Sequence, residues 1–353
     1  MKKILILILL IIFTCGCAFH KKESEPMNQS KIDVLPLMSS ESIYNNRVWV
    51  GTFQLVWNDL MDEVVKGDIE FLGGTPDVVK ALNKQEFKAS DLSENSYYKI
   101  WGKASPELKN IIVKGIKEKF NETSDIINSI DWTPAPSKYI IYAMLKKDFK
   151  FLHAFDKLEP AQFGYIDTKV DYFGIKPQNT DILGQNIGVL FYENKSDFAV
   201  KLYTQGNDIV YLYRTDEDKT FDKTYTDMLS KAEKYEGRKW FGDKDYFKVP
   251  DIKLYQEKSF NEVCNKAIKG TDFMIDKALE TVDFKMNNEG VKLKSEAIIV
   301  TKLTSVGPGH VIEPRYFNYT STFYLFLQEK DKNQPYYAMR VDDVLTFNNT
   351  AKK

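Results

Sequence analysis

Metal centres, disulfide frameworks and nucleic-acid binders draw on residue types that are scarce in this sequence. Its 353 residues include three histidines and three cysteines, which leaves few ligands for a soft-metal site. Two of the cysteines, Cys15 and Cys17, lie in the N-terminal segment. Cys264 is then the one remaining thiol, so no intramolecular disulfide can staple a domain. Charge of one sign is also missing: 49 basic residues face 50 acidic ones. A nucleic-acid binder needs a basic surplus to displace counterions from phosphates, and recruitment to anionic lipid needs a polybasic cluster; the balance excludes both. HExxH, GxSxG, P-loop and GxGxxG spacings are absent, and no CxxC lies outside the N-terminal segment. No cofactor or metal is therefore expected, and no catalytic constellation is visible. What is present is apolar: 43% of residues are hydrophobic and 14% aromatic, enough for a large core rich in strands.

The one long apolar run is at the start. Met1-Lys2-Lys3 is followed by ten apolar residues, Ile4 to Phe13, and then Thr14-Cys15-Gly16-Cys17. A membrane span takes about 20 residues, so the run suits a signal peptide instead. Its end resembles a bacterial lipobox, with Gly16 directly before Cys17 as the residue to be lipidated. Residues 1–17 are read as a lipoprotein signal and 18–42 as a flexible polar tether. A single domain is expected over 43–345, with 346–353 as a tail. This places the protein outside the cell, anchored on the outer face of the cytoplasmic membrane.

Within the domain, Leu108, Ile111, Ile112, Ile116 and Phe120 recur at helical spacing and predict a helix over Glu107 to Ile130. Tyr139 to Leu145 reads as a buried strand, and Phe198–Tyr203 with Ile209–Tyr213 as a hairpin. Thr224 to Tyr235 reads as a helix. Val282 to Val300, Thr322 to Gln328 and Tyr336 to Val341 read as strands. Cys264 follows a helical-looking stretch with Ser259 as its N-cap, and suits a small core residue better than a nucleophile. Helices come early and strands late, without a βαβ rhythm, which indicates an α+β fold.

The order of segments carries a resemblance. Asn46–Phe53, Phe120–Ile127, Tyr142-Ala143 with Phe151–Lys157, the turn at Gly206–Asp208, Tyr246–Leu254, Val282–Gly290, and Phe323–Leu327 with Tyr336–Val341 follow one another as the corresponding motifs do in serpins. The chain resembles a divergent bacterial lipoprotein member of that superfamily. It departs from the pattern at Gly51, Thr52 and Gln54, at Phe151 for a tryptophan, at Met339 for a glycine, and at Glu280, which stands where the family has its shutter histidine.

The resemblance implies N-terminal helices packed on a large central β-sheet, further sheets, and a long exposed reactive loop near the C-terminus. It implies an inhibitor and not an enzyme: a serine or cysteine protease attacks the loop, and the cut loop then inserts into the sheet and traps the acyl-enzyme. The implied hinge is Glu289, Gly290, Val291, Leu293, Ser295 and Ala297. Alternation places Val291, Leu293, Ser295 and Ala297 inward and Lys292, Lys294 and Glu296 outward. The pattern fits an insertable arm and a strand already in the sheet equally well. Counting from Gly290 puts the scissile bond near Thr304-Ser305, while counting back from Tyr319 and Phe323 puts it near Val311-Ile312; Lys302 and Arg315 would suit a trypsin-like protease. The expected partners are a target protease and the membrane, with the protein a monomer. The alternative is a non-inhibitory serpin-fold binding protein of the cell envelope, in which aromatic strands such as Tyr211–Tyr213 form a binding face.

Overall fold

A computed structural model describes residues 31–135, 138–293 and 313–350. In chain order the first elements are β1 (Ile32–Leu35), β2 (Asn46–Val50), α1 (Thr52–Asp59), α2 (Asp77–Leu82), β3 (Tyr97–Lys103) and α3 (Pro106–Phe120). Next come β4 (Tyr139–Leu145), β5 (Lys147–Lys150), β6 (Asp156–Gln162), β7 (Lys169–Gly174), α4 (Thr180–Leu183), β8 (Ile187–Asn194), β9 (Asp197–Tyr203), β10 (Asp208–Arg214) and α5 (Phe221–Lys234). The chain continues through β11 (Tyr246–Pro250), β12 (Ile252–Ser259), β13 (Lys266–Ala267), β14 (Met274–Ile275), β15 (Leu279–Met286) and β16 (Gly290–Leu293). It closes with β17 (Tyr316–Asn318), β18 (Phe323–Glu329), β19 (Tyr337–Val341) and α6 (Val344–Asn348). The fold is α+β, as expected.

The largest sheet has seven strands in the order β1-β2-β19-β18-β10-β9-β8. Its central strands are buried along their whole length because both faces are covered, so β18 and β19 read as continuous apolar runs rather than alternating ones. Tyr213 is fully buried, and its hydroxyl bonds Asp227 at 3.1 Å on α5. The aromatic strand thus packs beneath a helix, not as an open binding face. A second sheet runs β17-β11-β7-β6, a third β12-β15-β16-β5, and β3 pairs with β4.

Several boundaries differ from the sequence reading, each for a local reason. The helix expected to reach Ile130 stops at Phe120, where Asn121 adopts a left-handed conformation with φ 55° and caps it. Ser105 opens that helix by accepting the Leu108 N–H. Ser259 ends β12 and caps no helix; the residues after it form turns, and Cys264 is half-buried there with Sγ 3.4 Å from the Phe260 carbonyl. The stretch expected as tether contributes β1, parallel to β2, with Ile32, Val34, Leu35 and Leu37 buried. The expected tail also folds: α6 runs into it, and Asn348 accepts the Lys253 N–H at 2.7 Å. The folded domain therefore begins earlier and ends later than 43–345. Among the described residues, no helix is long and apolar enough to cross a membrane.

Candidate functional site: a slot between two strands

The site starts at a tight hairpin. Asn287–Glu289 turns the chain from β15 into β16, with the Asn287 N–H donating to the Gly290 carbonyl at 3.1 Å. The turn is held from outside, because Phe151 N–H donates to the Glu289 carbonyl and Phe155 N–H to the Asn288 carbonyl. Gly290 is required by crowding: a Cβ there would lie 2.1 Å from the Phe149 carbonyl oxygen of β5.

From that turn β16 enters the sheet. On one side it pairs with β15 through Lys285↔Lys292 and Met286↔Val291. On the other it pairs with β5, from Gly290↔Lys150 to Leu293↔Lys147. Gly290, Val291 and Leu293 are buried and Lys292 is exposed, which follows the alternation anticipated for this segment. Glu289 is exposed, at the turn.

Below Leu293 the two flanking strands continue without a strand between them among the described residues. β15 runs on to Leu279, paired on its far side with β12, and β4 runs on to Tyr139, paired on its far side with β3. Strands bonded to a common neighbour stand about 9–10 Å apart, so the gap below β16 begins with room for one strand. Two voids fill it. The upper, of about 200 Å³, is bounded by Tyr142–Leu145 of β4, Lys146 after it, Leu279–Asp283 of β15 and the tip of β16, over a floor of Thr52, Phe53 and Val56 from α1. The lower, of about 250 Å³, extends to Tyr139 and Phe273 and is lined by Trp57, Leu60 and Ile275.

Each end of the slot has its own electrostatics. Beneath the top, Lys147 is buried and its ammonium lies 2.8 Å from Asp208 and 2.5 Å from Glu329. Ser93 and Ser96 also donate to Glu329, and Tyr336 donates to Asp208. Burial raises the Asp208 carboxyl; against the same desolvation, the Lys147 charge and hydrogen bonds hold Glu329 below its ordinary value. At the upper edge Lys146 is bonded to the Phe120 carbonyl and to Glu122, both at 2.9 Å, which ties the end of α3 to the strand. On the floor, Glu280 is buried and pushed up to about 8 by desolvation, with hydrogen bonds from Thr52 and Phe53 opposing.

Ser295 and Ala297, anticipated for the hinge, Lys302, Thr304, Ser305, Val311 and Ile312, anticipated for the scissile bond, and Cys17, anticipated for lipidation, lie outside the described residues. Arg315 does not fit its anticipated use. It is 7% exposed, and its guanidinium bonds the Arg238 and Trp240 carbonyls at 2.6 Å and Asp245 at 2.8 Å. A protease pocket cannot reach a side chain held this way. Asp245 also holds Arg238 at 2.6 Å, so Arg315 fastens β17 to the segment before β11. The slot itself was not legible in the sequence, because it consists of a gap between strands more than 100 residues apart. No group of residues that could hold a metal occurs among the described residues.

No protein-family model and no curated protein matches the sequence. Among solved structures, the chain is similar to human thyroxine-binding globulin in complex with thyroxine, at 8% identity and TM-score 0.47, over 83% of this chain and 98% of that one. It is similar to Serpin48 of the insect Tenebrio molitor at 13% identity and TM-score 0.47, over 84% and 91%. It is similar to the mouse protein-Z dependent protease inhibitor at 15% identity and TM-score 0.43, over 67% and 63%. A second thyroxine-binding globulin structure is spanned over 64% of its length, less than two thirds. Each of these solved structures is less than 25% identical to this chain.

Proposed function

We propose that this chain is a strand-inserting inhibitor of a serine or cysteine protease, held by the Cys17 lipid at the outer face of the cytoplasmic membrane and acting as a monomer. One observation carries the reading: β16 already occupies the top of a slot whose two edges, among the described residues, continue unpaired below it. An unpaired edge presents a row of N–H and C=O groups for an added strand. The residues that follow Leu293 are its natural occupant. Continued in the register of β16, Ser295 would stand between Val282 and Leu145, and Ala297 between Glu280 and Ala143. A protease that attacks this segment forms an ester or thioester with the carbonyl and releases the amine. The freed strand can then fill the slot before water cleaves the acyl bond.

The test uses the chain from residue 18 onward, nicked between Leu293 and Glu313 with trypsin or subtilisin. A protease complex that survives SDS, with a large rise in melting temperature of the nicked chain, is the expected result. Clean cleavage with unchanged melting would refute insertion and turn the search to a binding partner in the envelope.

A further inference from the structure

One lysine and two carboxyls meet beneath β5, where three strands begin or end. Lys147 opens β5, Asp208 opens β10 and Glu329 closes β18. Asp208 and Glu329 are cross-strand partners, and two carboxyls so placed repel unless a cation or a proton relieves them. Lys147 reaches both, its Nζ 2.8 Å from Asp208 Oδ1 and 2.5 Å from Glu329 Oε1. The lysine, aspartate and glutamate side chains are 8%, 10% and 0% exposed, so bulk water is kept from the reacting atoms.

The two carboxyls have different surroundings. Glu329 Oε2 accepts the Ser93 N–H at 2.9 Å and the Ser93 hydroxyl at 2.5 Å, and its Oε1 accepts the Ser96 hydroxyl at 2.9 Å. Asp208 Oδ1, the oxygen that faces Lys147, accepts the Tyr336 hydroxyl at 2.9 Å. Burial raises the Asp208 carboxyl; against its own desolvation, the Lys147 charge and the hydrogen bonds from Lys147, Ser93 and Ser96 hold Glu329 below its ordinary value. Asp208 is thus the carboxyl that more readily holds a proton, and Glu329 the one left as a base. An amine in contact with a carboxylic acid and a carboxylate, shielded from water, has the parts an amide-forming site needs: nucleophile, electrophile and base.

We propose that Lys147 and Asp208 join in an intramolecular isopeptide bond, formed by the folded chain itself with Glu329 as the base and then the acid. Glu329 takes a proton from the ammonium, and the freed Nζ adds to the Asp208 carboxyl carbon. The Tyr336 hydroxyl supports the oxygen on which negative charge grows. The carbon then releases its hydroxyl and keeps the nitrogen. Of the two protons that the nitrogen loses, one leaves with the Asp208 hydroxyl as water and the other remains on Glu329. No oxidant or co-reactant enters. The bond ties β5 of the third sheet to β10 of the seven-stranded sheet. Among the described residues Cys264 is the one thiol, so no disulfide can make such a tie. Like a disulfide, the link would restrict the unfolded chain. This inference does not rest on the insertion reading.

The experiment is an intact mass measurement on the chain from residue 18 onward, folded and then denatured, followed by peptide mapping. The wild type should weigh one water less than its sequence, and its digest should contain a branched peptide joining residues 147 and 208. Glu329→Gln and Lys147→Arg should each regain that water. The full sequence mass in folded wild type overturns the proposal. So does a water loss without the branched peptide, a branch to residue 329 in place of 208, or a Glu329→Gln chain that still loses water. Should the variants not fold, the wild-type mass and branched peptide decide alone.

Discussion

Glu280 marks the chain at the scale of the single residue because its cost is written into stability as well as into the slot. In the unfolded chain it titrates near 4.5; folded, burial raises it to about 8. Between those values the native state keeps a proton that the unfolded state has lost, so stability falls as pH rises through that window and levels off above it. The wild type should melt at progressively lower temperature from pH 5 to pH 8, and Glu280→Gln should flatten the slope; a wild-type curve with no excess slope over the variant would contradict the burial argument. Gly290 makes a second residue-scale point. Its Cβ position is occupied by the backbone of β5, so Gly290→Ala should prise β16 from β5 at a cost of about 1–3 kcal/mol, read as a lower urea midpoint. Arg315 teaches the reverse lesson. In one dimension it is a basic residue beside a loop, and only its bonds to Asp245 and two carbonyls make it a structural clamp.

Among the elements, β16 and β5 concentrate the energetics. The strand that pairs with β16 also carries Lys147, whose buried ammonium faces two carboxylates. A buried pair adds little net stability, but removing one partner strands the others. Lys147→Met should therefore destabilise by about 3–5 kcal/mol, seen in denaturant unfolding, and a loss below about 1 kcal/mol would mean that water reaches the cluster. Elements were legible where the apolar period was long. The helix behind Leu108, Ile112 and Ile116 was visible, and so were β4, β9, β10, β18 and β19. Ends were harder to read, since they turn on a cap such as the left-handed Asn121, which the apolar pattern beyond it conceals. The paired positions of β16 could be anticipated from alternation, but not whether the strand was already seated, because the same pattern serves both states.

The molecule as a whole is sealed at its start by β1. Its parallel pairing covers the outer edge of β2 and buries Ile32, Val34, Leu35 and Leu37. A chain beginning at residue 38 should lose several kcal/mol, at roughly 1.5–3 kcal/mol per buried side chain, and expose an edge prone to association. Lower melting and higher aggregation by light scattering than in a chain beginning at residue 31 would bear this out. The polar sequence from Lys21 onward hid the strand, because three or four apolar residues do not make a period. By itself the sequence determined the fold class, the absence of a disulfide framework, the leader-like start and the alternation of Val291, Lys292 and Leu293, since these follow from composition and local pattern. The tertiary structure alone decided that β16 is seated, that the edges of β15 and β4 stand apart below it, that Arg315 is locked and that Glu280 is buried beneath the gap with the Phe53 N–H on its Oε1. Each of these depends on which distant strands become neighbours, and long-range pairing leaves no local trace in the chain.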